Sequence, residues 1–146
     1  MTTISASFSQ SLDGFIAGPD DSVDHIFDWY DAGATEVHWP GNDMVSRTTP
    51  RSAAVLEEII AGAGALVVGR RIFDVTDGWG GCHPAGVPVF VVTHAVPTDW
   101  IAAHPDAPFT FVTDGGVEKA VELASEVAGP DGTVGLAGPN IAQLRR

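Results

Sequence analysis

The apolar positions of this chain fall into short runs separated by glycine- and proline-rich breaks. Ile4 to Phe8 alternates apolar with small polar residues, the two-residue period of a strand. Asp13-Gly14 marks a turn, Phe15-Ile16-Ala17 reads as resumed extended chain, and Gly18-Pro19-Asp20-Asp21 breaks it. Ser22 to Asn42 is acidic and aromatic without a clean period, which predicts a long ordered loop with one short helical piece. Thr49-Pro50 then opens a helix, with Thr49 as N-cap and Pro50 at the first helical position. Val55, Leu56, Ile59, Ile60 and Ala63 line one face of it at helical spacing, and Gly62 and Gly64 end it.

From there the pattern changes to unbroken apolar runs. Ala65–Val68 predicts a strand, followed by Gly69-Arg70-Arg71 and a helical turn through Ile72 and Phe73. Asp77-Gly78-Trp79-Gly80-Gly81 predicts a flexible turn. Val87–Val92 predicts a central strand, with Pro88 tolerated near its start, and Phe109–Val112 predicts another. Asp114-Gly115-Gly116 leads into a helix carrying Val117, Val121, Leu123, Ala124 and Val127. After the turn at 129–132, Thr133–Leu136 predicts a short strand, and Ala137-Gly138-Pro139-Asn140 opens a final helix. Strands that are apolar throughout are covered on both faces. The expectation is an α/β sandwich in one domain, residues 1–146, with a mostly parallel sheet whose strand ends gather a ligand.

Composition narrows the ligand. Seven Lys and Arg stand against nineteen Asp and Glu, a net charge of −12, which argues against nucleic acid or an anionic membrane surface as partner. A small anionic molecule stays compatible where positive charge is concentrated. The single cysteine, Cys82, excludes an internal disulfide. No basic segment followed by an apolar core opens the chain and no apolar run is long enough for a bilayer, so the expectation is a cytoplasmic protein.

Three strand-to-helix junctions carry candidate chemistry. At Val68-Gly69-Arg70-Arg71, glycine allows close backbone approach and two of the seven basic residues add planar donors for an anion. The residues alone equally allow solvated arginines, or pairs with Asp74 and Asp77. At Gly135-Leu136-Ala137-Gly138-Pro139-Asn140, glycine again precedes a helix, although neither GxGxxG nor a Walker P-loop is present. Thr93-His94, ending the most apolar run, offers a hydroxyl and an imidazole to a nucleotide, or simply caps a strand. Asp13 is the best acid near the first strand, or a plain Asp-Gly turn. Trp79, between glycines, lines a planar pocket or belongs to the core. The five histidines show no metal-binding spacing, and no metal is expected.

Taken in order, Ser11-Leu12-Asp13-Gly14-Phe15-Ile16-Ala17, Val67-Val68-Gly69-Arg70-Arg71-Ile72-Phe73-Asp74, Asp77-Gly78-Trp79-Gly80-Gly81, Val89-Phe90-Val91-Val92-Thr93-His94 and Gly135–Asn140 resemble the dihydrofolate reductase-like superfamily. The nearer resemblance is to the branch related to the C-terminal reductase domain of the riboflavin biosynthesis deaminase-reductase. It implies a three-layer sandwich, NADPH as cofactor, and hydride transfer to a small heterocyclic or ribosylamino substrate, with dihydrofolate reductase-type activity or a non-catalytic nucleotide- or pterin-binding module as alternatives. It also implies that Gly69, Arg70 and Arg71 hold cofactor phosphates, that Thr93 and His94 lie near the 2′-phosphate, and that Ala137, Gly138, Pro139 and Asn140 approach the pyrophosphate. Leu12, Asp13 and Gly14, with Ile16 and Ala17, would border nicotinamide and substrate. Asp13 would orient substrate or relay a proton. Such proteins continue into further strands and often a dimer surface. A chain stopping at Leu144-Arg145-Arg146 therefore predicts a truncated form lacking its C-terminal strands, with a homodimer left open.

Overall fold

An apolar run with no polar face needs cover on both sides, and the fold supplies it in three layers. The computed structural model describes residues 1–143. Its elements are β1 (Thr3–Ala6), α1 (Asp24–Phe27), β2 (Thr35–His38), β3 (Val45–Thr48), α2 (Pro50–Gly62), β4 (Ala63–Gly69), α3 (Arg70–Thr76), β5 (Val89–Val92), α4 (Thr98–Ala103), β6 (Phe109–Val112), α5 (Gly116–Ala128), β7 (Thr133–Ala137) and α6 (Pro139–Gln143). The central sheet runs β1-β7-β4-β5-β6, and every neighbouring pair is parallel. The predicted chain end at Leu144–Arg146 lies outside the described residues.

Alternate residues of each strand feed two different cores. On one face, Ala65, Val67, Phe90, Val134 and Leu136 meet α5, which buries Val117, Ala120, Val121 and Ala124 at i, i+3, i+4 and i+7. On the other, Val68, Val89 and Val91 lie under Phe73 of α3 and Trp100 of α4. Phe73 stands edge-on to Phe111, with ring centroids 5.2 Å apart, and to Trp100 at 4.9 Å. Such pairs contribute about 0.5–1.5 kcal/mol beyond their buried area. A third cluster lies apart from the sheet, where Ala53 and Leu56 of α2 pack on Val37 and Trp39 of an antiparallel β2–β3 hairpin. The Trp39 indole N–H is satisfied in that core by donating to Ser46 Oγ at 2.8 Å.

Several sequence expectations need correction. Phe15–Ala17 forms no strand; the segment between β1 and α1 is built of turns and bends, and Phe8 falls outside β1. The stretch 22–42, expected as loop with one helical piece, contains α1, a 3-10 turn at Asp28–Asp31 and strand β2. Four-residue hairpin strands show only two inward positions each, too few for a visible period. Thr49 caps α2 as expected, its Oγ1 accepting from Ser52 N–H. The buried stripe of α2, however, is Ala53, Leu56 and half-buried Ile60, because a two-stranded hairpin covers only a narrow face; Val55 and Ile59 are exposed. Val127 of α5 is likewise exposed and Ala120 takes the inner place. Asp77–Gly81 forms a turn in which Asp77, Gly78, Trp79 and Gly80 are successively left-handed, and Gly78 is buried.

Candidate functional site

In a sheet whose strands all run one way, every strand ends at the same edge. That rule brings Gly69-Arg70-Arg71 after β4, Thr93-His94-Ala95 after β5, Thr113 to Gly115 after β6, Gly138 after β7 and the 7–23 segment after β1 to one rim. A cavity of about 440 Å³ opens there beyond β5 and β6. Its floor is Val92 and Val112, and its polar wall is Arg70, Thr93, His94 and Thr113, with Gly116 of α5 at the margin.

Arg70 is held from three sides. Its Nε donates to Asp74 Oδ1 at 2.7 Å, one helical turn on, and its Nη1 donates to Ala95 carbonyl O at 2.8 Å and to Thr93 Oγ1 at 3.3 Å. The guanidinium carbon lies 5.9 Å from the centroid of the Phe73 ring. The Asp74 alternative raised by the sequence is therefore met, yet Arg70 still lines the cavity with Nη2 outside these bonds. Thr93, 6% exposed, is saturated: Oγ1 donates to Ala95 carbonyl O and accepts from Ala95 N–H and Arg70. Thr93 thus shapes the wall and fixes Arg70, while exposed His94 faces the opening.

The opposite wall is the start of α5. Gly115 caps it at φ +75° with no side-chain cap, and Gly116 follows at φ +62°. The first turn of this 13-residue helix therefore keeps backbone N–H groups without a side-chain acceptor beside the cavity, at the positive end of the helix dipole. Thr113 and Gly116 escaped the sequence reading as site residues. The signal was there in Asp114-Gly115-Gly116, a strand end and glycine pair opening a helix.

The remaining candidates lie elsewhere on the rim. Arg71 pairs not with Asp77 but with Asp21, fifty residues earlier. Gly138 is buried at φ +101°, where a Cβ would stand 3.0 Å from Ile72 Cδ1, and a Cβ on Gly69 would stand 3.4 Å from Ile141. These glycines let α3 and α6 start side by side over β4 and β7; Ala137 is half-buried, and Pro139 and Asn140 are exposed. Leu12, Asp13 and Gly14 form an exposed turn in which Ser11 Oγ donates to Asp13 Oδ1 at 2.6 Å, and Ala17 follows half-buried. None of these residues lines the cavity.

Trp79 packs under the sheet with the Phe73 and Trp100 layer, edge-on to His83 at 4.7 Å. Burial pushes the His83 imidazole down to about 4, and its Nδ1 accepts from Ala85 N–H. Among the described residues, no helix is long and apolar enough to cross a membrane, and no group of three His, Cys, Asp or Glu is placed to hold a metal ion.

No family model and no curated protein matches the chain. Among solved structures it is similar to a protein from Shewanella sp. PV-4 named for riboflavin biosynthesis, with a TM-score of 0.60 and 17% identity over 97% of this chain and 67% of that one. At that identity the likeness is one of fold: a parallel five-stranded α/β sandwich with helices on both faces.

Proposed function

We propose that this chain is an NADPH-dependent reductase domain, transferring hydride to a small heterocyclic or ribosylamino substrate in the manner of 5-amino-6-(5-phosphoribosylamino)uracil reductase. The observation that carries the reading is the convergence of Arg70, Thr93 and His94, from two junctions 23 residues apart, on one cavity at the carboxyl rim. The donor set fits a phosphate. A fixed guanidinium lines the space with one amino group outside its own hydrogen bonds, and the first turn of α5 borders the other side. The apolar floor of Val92 and Val112 suits a sugar or base lying over it. The paired glycine junctions at Gly69 and Gly138 lead from that cavity toward β1, the direction a dinucleotide would extend. When bound, the cofactor supplies the hydride, and the chain's own residues bind and orient it.

NADPH titration followed by fluorescence tests the reading. Binding that weakens in Arg70→Ala/Arg71→Ala and with added salt is the expected outcome; absence of binding, or indifference to both arginines, overturns it. Stopped-flow oxidation with pyrimidine and pterin substrates then tests turnover. One observation favours a non-catalytic binding module as the second reading: Asp13, the sole proposed acid, is an exposed turn residue bonded by Ser11. Binding without oxidation of NADPH by any substrate supports that module.

A further inference from the structure

The Arg71–Asp21 pair links two parts of the chain fifty residues apart. Arg71 belongs to the first turn of α3, in the Gly69-Arg70-Arg71 junction but outside the cavity that Arg70 lines. Asp21 belongs to the 7–23 segment, which has no helix or strand and whose backbone bonds run mostly within itself, Ser11 N–H to Phe15 O and Gly18 N–H to Ser22 O among them, with Val23 O accepting from Ile26 N–H of α1. Among the described residues, two side-chain hydrogen bonds join the segment to the rest, Ser9 Oγ accepting from the Trp29 indole N–H and Asp21 accepting from Arg71. The acid is presented by design of the turn. Asp21 N–H donates to Gly18 O, Asp20 Oδ1 accepts from Ser22 N–H, and Asp21 itself sits at φ +63°. Few residues other than glycine, asparagine and aspartate adopt that conformation readily.

We infer that Asp21 is an internal competitor for the anion site: its carboxylate occupies Arg71 in the ligand-free chain, and an anionic ligand must displace it, releasing the 7–23 segment from the rim. The inference rests on the proposed phosphate-binding role of the Gly69-Arg70-Arg71 junction. It concerns Arg71 and not Arg70, because the acid partner of Arg70 is four residues away on the same helix and moves with it. The competitor is weak enough to be displaced. The Arg71 side chain is 78% exposed and Asp21 39%, and exposed pairs contribute little in water.

The test measures binding of NADPH and, separately, of inorganic pyrophosphate by calorimetry in wild type, Asp21→Asn, Arg71→Gln and the double variant. Asparagine keeps the turn's left-handed conformation and removes only the charge. Asp21→Asn is expected to tighten binding of both probes roughly two- to fivefold, and to do nothing in the Arg71→Gln background. An unchanged affinity in Asp21→Asn overturns the inference. So does an equal gain in the Arg71→Gln background, which would report only one carboxylate fewer on an acidic surface. Asp21-dependent pyrophosphate binding without NADPH binding keeps the latch and overturns the cofactor reading. NADPH binding indifferent to Asp21 does the reverse, and failure of both probes to bind any variant overturns both.

Discussion

The two ends of the sheet's carboxyl rim are built differently, and adjacent arginines report the difference. Beyond β5 and β6, each wall of the cavity continues a strand or helix that is anchored in a buried core, and Arg70 is fixed by Asp74, Thr93 and the Ala95 carbonyl. Beyond β1, the rim is a self-folded loop carrying exposed Leu12 and Phe15, and Arg71 meets it through Asp21. One residue of helix turns a side chain by about 100°, so neighbours in the sequence serve opposite ends. The pair that reads as one clamp is a fixed donor and a switchable one.

The largest expected effect tests how firmly the β5–β6 end is built. Phe73, 3% exposed, is the centre of the aromatic layer that seats α3 and hence Arg70. Phe73→Ala should lower stability by about 3–5 kcal/mol in urea unfolding; a loss below about 1 kcal/mol would mean that the layer does not anchor α3. The same half carries an acid-sensitive group. Unfolded, His83 takes up a proton near pH 6.5, whereas in the folded chain burial delays this until about 4. Between those values the unfolded state binds more protons, so the stability present above pH 6.5 is lost as pH falls toward 4. Unfolding free energies from urea titrations at pH 7 and 4.5 should differ by about 2–3 kcal/mol, and His83→Phe should remove much of that difference; an unchanged pH response in the variant would place the sensitivity elsewhere.

Arg70→Ala comes next and separates the two arginines. NADPH affinity should fall about 10-fold or more, the worth of a charge-assisted hydrogen bond, while Arg71→Ala should cost less because it also frees the loop from Asp21. Equal losses would erase the distinction between fixed and switchable donors. The smallest effect belongs to the loop itself: Phe15→Ala, at a side chain 65% exposed, should shift stability by no more than about 0.5 kcal/mol. A loss comparable to that of Phe73→Ala would show that the β1 end is as firmly packed as the other.

The order of residues along the chain is enough to set the α/β layering, because unbroken runs such as Ala65–Val68 and Val89–Val92 have no face to give to water, and it sets the glycine junctions and the Thr49 cap, which are local backbone chemistry. It also marked Arg70, Thr93 and His94, since residues just after strands converge wherever strands are parallel. The rest depended on how the elements pack together. The β2–β3 hairpin was hidden because four-residue strands carry almost no period, and the inner stripe of α2 was set by the width of that hairpin. The wall at Thr113 and Gly116 became part of the cavity only when β6 took its place beside β5. The separation of Arg70 from Arg71 depended on Asp21, fifty residues away, because an ion pair between distant segments has no signature along the chain and exists only once the fold has brought its charges together.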